Sequence, residues 1–301
     1  MNILVTGSTG FVGRHLVPGF LQDGHKVFEL TRNIDASIDL FGSSTQKYQL
    51  SDDQVALKNV IQRFNPDVCI HLAAFLNSAD DYGTMLKLID SNIFFLCRVL
   101  DSLKGCSLKL FINTGTFAEY YKGNNKLDPA YLYAATKSAS RAFVNYYTSS
   151  YNFKSATVVP YTIYGGIDTQ KKIIDHIFDS LNNDRPTDLT LGEQILDFIH
   201  IVDIVRFYRS LINDPDSVPD DSIFHLGTGI GHTIKELAKI IEDKAGKKAN
   251  IQWGAKSYRN KDVFYAVANT SLQYRIWKWR PTISLEQGIE EYLVNKTRNV
   301  K

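Results

Sequence analysis

Tyr133 and Lys137 stand at i and i+4 in Tyr133-Ala134-Ala135-Thr136-Lys137, a spacing that puts both side chains on one face of a helix. A tyrosine, with an ordinary pKa of about 10, is a proton donor at neutral pH and needs help to cycle. A neighbouring ammonium favours the phenolate and lowers that pKa. Thr116 ends the run Thr114-Gly115-Thr116 and offers a hydroxyl that can hold a substrate oxygen beside the phenol. The three side chains are the parts needed to protonate an alkoxide while a carbonyl accepts hydride. Tyr-x-x-x-Lys alone arises by chance in many helices. Here it comes one loop after a hydroxyl run, in a chain that opens with a glycine motif, and the combination is specific.

The glycine motif is Leu4-Val5-Thr6-Gly7-Ser8-Thr9-Gly10-Phe11-Val12-Gly13. Ile3–Val5 is an apolar run expected to form a strand buried on both faces, and Phe11–Leu21 repeats apolar residues at helical spacing. Gly7 suits the sharp turn, Gly10 a close backbone approach to a pyrophosphate, and Gly13 tight packing of helix on strand. The helix N-terminus favours phosphate. Gly7, Thr9, Gly10, Phe11, Val12 and Gly13 are therefore candidate cofactor contacts. The spacing is Gly-x-x-Gly-x-x-Gly, not Gly-x-Gly-x-x-Gly, so a βα turn with glycines for packing alone is the competing reading. A second strand, Lys26–Leu30, runs into Thr31 and Arg32, where an NAD site places an acid for the ribose hydroxyls. A guanidinium suits a 2′-phosphate instead. NADP(H) is the expected cofactor and NAD(H) the second choice. Leu72, Ala73 and Ala74 end a further strand, and small residues there let a cofactor lie against backbone. His71 precedes them without a partner in sequence and reads as structural.

Along the chain, strands alternate with helices: Lys47–Leu50, Asp53–Phe64, Asp67–Ala74, a long helix over Tyr82–Leu103, Leu108–Asn113, then the helix of Tyr133. That alternation implies right-handed βαβ units. The expected fold is α/β, a doubly wound parallel Rossmann sheet with a smaller C-terminal substrate lobe and the substrate in the cleft between. The dinucleotide domain is expected at 1–167, rejoined by about 197–222, and the lobe at 168–196 and 223–301. Thr233–Lys244 is an amphipathic helix with Thr233 and Glu236 at capping-box spacing. The 301 residues carry a formal net charge of +2, which gives no electrostatic case for nucleic acid. Tyr274–Pro281 interleaves aromatic and basic residues, but Trp277 and Trp279 read as packing for a C-terminal helix. No apolar run approaches membrane-spanning length, and Met1 leads straight into a strand, so neither membrane nor signal peptide is expected. Three cysteines without Cys-x-x-Cys spacing read as free thiols of a reducing compartment, the cytoplasm. The histidines show no metal-ligand spacing, and no metal is expected.

These residues resemble the extended short-chain dehydrogenase/reductases, the NAD(P)-dependent epimerase/dehydratase/reductase group acting on nucleotide sugars. The resemblance runs through the glycine turn, His71–Ala74, Thr114–Thr116, Tyr133/Lys137, Tyr164-Gly165-Gly166, Gly192–Asp203 and Leu226–Gly229. It ends at Trp279-Arg280-Pro281, with Lys278 where the family usually has Gly. By position it implies Thr116 as the triad hydroxyl, Tyr133 as proton donor and Lys137 as the cation supporting ribose and phenol. Phe111–Thr114, Gly192-Glu193-Gln194, Asp197-Phe198, Gly227-Thr228-Gly229 and Phe264–Asn269 are most similar to the 4-keto reductases that form 3,6-dideoxyhexoses. The family's dehydratases carry Asp-Glu or Glu directly after the triad hydroxyl. Phe117 and Ala118 stand there and move no proton, which disfavours dehydration. The family's Arg before Asp-Phe is Leu196 here, leaving Arg259 as the candidate for the nucleotide diphosphate. Substrate contacts are thus expected from Thr116, Phe117, Tyr133 and Arg259. The family also implies a homodimer through Tyr82–Leu103 and Leu132–Tyr151. The expected reaction is NADPH-dependent reduction of the 4-keto group of a nucleotide-linked deoxyhexose. A 4-epimerase or 4-dehydrogenase with retained NAD(H), and a non-catalytic dinucleotide sensor, are the alternatives.

Overall fold

The computed structural model describes residues 1–123, 126–166 and 170–298. Its contacts divide the chain into two units, the first made of Met1–Glu119, Tyr131–Val159 and Val205–Phe224. The first unit alternates β1 (Asn2–Thr6), α1 (Phe11–Gln22), β2 (Lys26–Thr31), α2 (Ile34–Phe41), β3 (Gln46–Gln49), α3 (Gln54–Phe64) and β4 (Val68–His71). It continues with α4 (Tyr82–Ile89), a π-helical turn at Asp90–Phe94, α5 (Phe95–Ser102), β5 (Leu110–Thr114), a 3-10 turn at Phe117–Glu119, α6 (Leu132–Tyr151) and β6 (Lys154–Pro160). The strands lie in the order β3-β2-β1-β4-β5-β6, every neighbouring pair parallel, with Ser222–Leu226 added beyond β6. This is the expected doubly wound sheet. Ile3, Leu4 and Val5 are fully buried, as a strand covered by helices on both faces requires. Leu4, Cys69 and Phe111 from three adjacent strands pack with Leu57 and Ile61 of α3 and Leu96, Val99 and Leu100 of α5. β1 sits between β2 and β4, where the strand order reverses, and a crevice opens there at the carboxyl ends.

One helix over Tyr82–Leu103 is the expectation, and the structure breaks it with the π turn. The cause is Asn92, buried within that turn. Its amide exchanges two hydrogen bonds with the Phe75 backbone, accepting from N–H at 2.8 Å and donating to the carbonyl at 3.1 Å. A widened turn that seats a polar side chain leaves no mark on the apolar periodicity, so pattern reading passes over it.

The second unit comprises Tyr120–Ala130, Pro160–Ile204 and His225–Lys301, within the described residues. Its elements before residue 205 are β7 (Thr162–Tyr164), α7 (Ile173–Ser180), β8 (Thr187–Leu189) and β9 (Ile195–His200). α8 (Ile201–Asn213) and β10 (Ser222–Leu226) then carry the chain through the Val205–Phe224 stretch of the first unit, and β11 (Gly231–Thr233) resumes the second. It ends with α9 (Ile234–Ala245), β12 (Ile251–Trp253), β13 (Tyr265–Ala266), α10 (Ser271–Trp277) and α11 (Leu285–Arg298). β9 is the hub, antiparallel to β11 and parallel to β13 and β7. Asp197 on β9 is buried and accepts from Thr228 N–H at 2.8 Å, Thr228 Oγ1 at 2.6 Å, Gly229 N–H at 2.8 Å and Ala268 N–H at 3.1 Å. Burial raises its carboxyl while those donors lower it. Three motifs far apart in sequence are thus one structural knot around a single carboxylate. The capping box also forms: Thr233 Oγ1 accepts Glu236 N–H at 3.0 Å, and Glu236 Oε2 accepts Thr233 N–H at 2.7 Å.

Candidate active site

The first unit holds a cradle at the end of β1. Gly7 has a φ of +72°, and a Cβ there would stand 2.7 Å from the Ala73 backbone nitrogen, so only glycine fits between the two strand ends. A Cβ on Gly13 would lie 2.6 Å from Ser8 Cα, so α1 rests against the turn itself. No side chain caps α1 at Gly10, and its first turn holds no acidic residue, which leaves the positive end of its dipole uncancelled. Ser8 Oγ is buried in the same turn with no hydrogen-bond partner. Gly7, Thr9, Thr31, Arg32, Ala73 and Ala74 line one groove of about 340 Å³. A bare helix end, an orphaned hydroxyl and a glycine floor fit a dinucleotide pyrophosphate.

At the far end of this groove Thr31 is buried and turned to local work. Its hydroxyl donates to the Asn33 carbonyl at 3.0 Å and accepts Asn33 N–H at 3.2 Å. Arg32 beside it is exposed. Glu29 is the carboxylate of β2, but it is buried and bound to Ser37, Thr45 and Lys47, so it does not face a ribose. Arg98 also lines the groove, its guanidinium held by Gln54 Oε1 at 2.9 Å and the Ser51 carbonyl at 2.6 Å. No pattern in the sequence points to Arg98. Behind the cradle, His71 shares a 3.0 Å hydrogen bond with Thr6 Oγ1, which accepts Ala73 N–H at 3.2 Å. Burial and the nearby Lys137 charge push the imidazole down to about 3, so it is neutral and structural, in line with its reading from sequence.

Tyr133 and Lys137 are both buried on α6. Burial raises the phenol, and Tyr131 and Glu119 raise it further; the lowering by Lys137 that spacing suggests is not among these causes. Burial brings Lys137 down to about 8, with Glu119 opposing and Arg141 reinforcing the fall. Thr116, also buried, comes just after β5, and its Oγ1 accepts Ala118 N–H at 3.4 Å. That bond leaves the hydroxyl proton and a second lone pair available to another group. Ala118 is buried in the 3-10 turn and Phe117 half-buried.

Two polar ties gather these pieces, and sequence reading found neither. Asn92 donates to Thr136 Oγ1 at 3.0 Å, and Thr136 Oγ1 donates to the Tyr133 carbonyl at 2.7 Å, linking the π turn to α6. Glu119 accepts Thr116 N–H at 2.8 Å through Oε1, while Oε2 meets Ser138 Oγ at 3.2 Å and Arg141 at 3.0 Å. Ser138 is next to Lys137, so the Thr116 turn is held within one helical turn of the Tyr/Lys pair. Arg259 lies in the second unit and is exposed, its backbone N–H donating to Asp262 at 3.3 Å.

A family model described as the NAD dependent epimerase/dehydratase family matches residues 3–227. A CDP-abequose synthase of Yersinia pseudotuberculosis is 27% identical over 298 residues, spanning 99% of this chain and 100% of that protein. A dTDP-4-dehydro-6-deoxyglucose reductase of Escherichia coli is 24% identical over 315 residues, spanning 97% and 96%. Among solved structures, UDP-glucose 4-epimerase with UDP-glucose from Thermotoga maritima superposes with a TM-score of 0.88 at 21% identity, covering 100% of both chains. That last likeness is one of fold.

Proposed function

Since the chain belongs to the NAD dependent epimerase/dehydratase family and is an NAD(P)-dependent oxidoreductase of the short-chain type, we propose that it reduces the 4-keto group of a nucleotide-linked deoxyhexose, using NADPH. The observation that carries this reading is the absence of an acid–base pair immediately after Thr116. Eliminating water from a sugar needs an acid and a base beside the ring. Phe117 and Ala118 are neither, and the first carboxylate, Glu119, is fully buried and committed to Thr116, Ser138 and Arg141. What remains is a set of groups for one proton transfer. Tyr133, kept protonated by burial, donates to the alkoxide oxygen as the carbonyl is reduced. The Thr116 hydroxyl orients that oxygen toward the phenol. Lys137 keeps a positive charge beneath it. A nicotinamide cofactor held by the Gly7–Gly13 cradle would supply the hydride that the carbonyl carbon accepts.

Arg32 and the absence of a free acid at the end of β2 support NADP(H). The free cysteines Cys69, Cys97 and Cys106 suit a reducing cytoplasm, and we propose a homodimer through Tyr82–Leu103, which spans α4, the π turn and α5, and through α6. Diphosphate recognition by Arg259 belongs to the same proposal. A 4-epimerase would use the same three side chains with NAD(H) retained through turnover. The decisive experiment tracks nicotinamide absorbance with CDP- and dTDP-linked 4-keto-6-deoxy sugars. NADPH should be consumed in preference to NADH, and NDP-glucose should yield neither oxidation of NADPH nor a 4-keto product. Tyr133→Phe should keep cofactor binding and lose turnover by about 10²-fold or more. Dehydration of NDP-glucose, or purification with tightly held NAD(H) and 4-epimerisation, overturns the assignment.

A further inference from the structure

We propose that Glu119 is a positioning residue of this site, a carboxylate that fixes the Thr116 turn onto α6 so that the Thr116 hydroxyl and the Tyr133 phenol address the same substrate oxygen. The inference rests on the reductase reading for its chemistry but on geometry alone for the tie. Glu119 is fully buried, and both oxygens are used in opposite directions. Oε1 accepts the backbone N–H of Thr116 at 2.8 Å, so the residue carrying the hydroxyl is held by its own main chain. Oε2 takes Ser138 Oγ at 3.2 Å and pairs with Arg141 at 3.0 Å, both on the helix of Tyr133 and Lys137. A charged acceptor makes these bonds stronger than neutral ones, and burial spares them from competition with water.

Gly115 gives an independent indication that the carboxylate must come this close. A Cβ at that position would stand 2.6 Å from Glu119 Oε1 and 3.1 Å from Val159 Cγ2, so the glycine makes room for the acid. Gly115 N–H donates to the Val158 carbonyl at 2.8 Å, which anchors the turn to β6 just before Glu119 takes it over. A buried ion pair that merely supports a helix would have no need to reach the amide of a hydroxyl-bearing residue. Glu119 also opposes the fall in the Lys137 ammonium, so it helps keep the neighbouring positive charge in place.

The test is a double-mutant cycle between Glu119→Ala and Thr116→Ala, with kcat and KM measured for the 4-keto substrate and cofactor affinity measured separately. Acting through Thr116, Glu119→Ala should lower kcat by about tenfold or more while leaving cofactor affinity near that of the parent. Added to Thr116→Ala it should lower kcat by less than a further twofold or so, because the group it positions has gone. Losses that multiply, or an unchanged kcat in Glu119→Ala, overturn the proposal. Should Glu119→Ala fail to fold, Glu119→Met with Arg141→Met removes the acceptor of the Thr116 N–H, fills the space and leaves no buried unpaired charge, and takes its place in the cycle. Amide exchange in the cofactor-free protein separates this inference from the assigned reaction. Exchange at Thr116 should quicken by about tenfold or more in the variant, while Phe111 and Ile112 of β5 keep their parent rates. Unchanged protection at Thr116 in the variant overturns the tie even if the parent is an active reductase, whereas quickened exchange in the variant of a parent that reduces no 4-keto sugar supports the tie and sinks only the reaction.

Discussion

At the scale of single residues, the site is governed by burial more than by pairing. Lys137 is drawn down to about 8 by the loss of water around it, despite the Glu119 carboxylate nearby. Its folded value therefore lies below its unfolded one. Between about 8 and the ordinary lysine value of 10.5 the unfolded chain holds a proton that the folded chain has released, so Lys137 makes stability rise with pH across that window. In the proposed reaction the rate runs the other way, because the ammonium proposed to steady the developing alkoxide disappears as pH climbs through about 8. We predict a basic limb near pH 8 in kcat/KM that is absent from Lys137→Met, which should be slow and flat; a parent profile level to about pH 10 would contradict this. Thr116, Tyr133 and Lys137 stand out as candidates in the sequence because hydroxyl, phenol and amine are chemically distinctive at such spacing, and the fold buries all three. Glu119 and Arg141 do not stand out. A glutamate in a turn and an arginine on a helix look like ordinary surface charges, and only the fold shows the glutamate buried and paired with a largely covered arginine.

Elements tell a similar story of pattern and exception. The parallel sheet, its helices and the capping box at Thr233 arise from periodicity and local hydrogen-bond chemistry, which a sequence displays directly. The π turn around Asn92 does not, because its cause is a bond to Phe75 from another segment. Lys278 lies between these cases: its departure from the family's Gly is visible in sequence, and the structure shows the consequence. It ends α10 in the left-handed region with a φ of +54°, where a side chain costs about 1 kcal/mol relative to glycine. Against that, its ammonium sits 4.9 Å from the Tyr274 ring centroid, an exposed contact worth about 0.5 kcal/mol. Arg280 stacks on the same ring at 4.3 Å and would remain. Lys278→Gly should therefore stabilise the protein by about 0.5 kcal/mol, read as a higher midpoint in urea with an unchanged slope. A fall in the midpoint would mean that the lysine contributes more than its backbone strain.

On the scale of the whole molecule, α4, the π turn and α6 leave a run of large apolar side chains in solvent: Tyr82 at 72%, Phe94 at 58% and Tyr146 at 60% exposure, with Leu86, Ile89 and Phe143 among them. A cluster of this kind on neighbouring helices of one unit marks a surface made to be covered. A second copy of the chain is the proposed cover, and light scattering should give twice the chain mass at micromolar concentration. Phe94→Glu with Tyr146→Glu should yield a folded monomer, while a parent that is monomeric under those conditions would refute the assembly. Among the described residues no helix is long and apolar enough to cross a membrane. The first unit is also discontinuous: its sheet is extended beyond β6 by the short edge strand β10, at Ser222–Leu226. During synthesis the earlier six strands leave the ribosome well before that last one. Until it arrives, the β6 edge stands open with unpaired backbone groups, the kind of edge that other chains can add to. Until residues 160–226 have been made, the nascent protein thus carries its nearly finished sheet with the β6 edge uncovered.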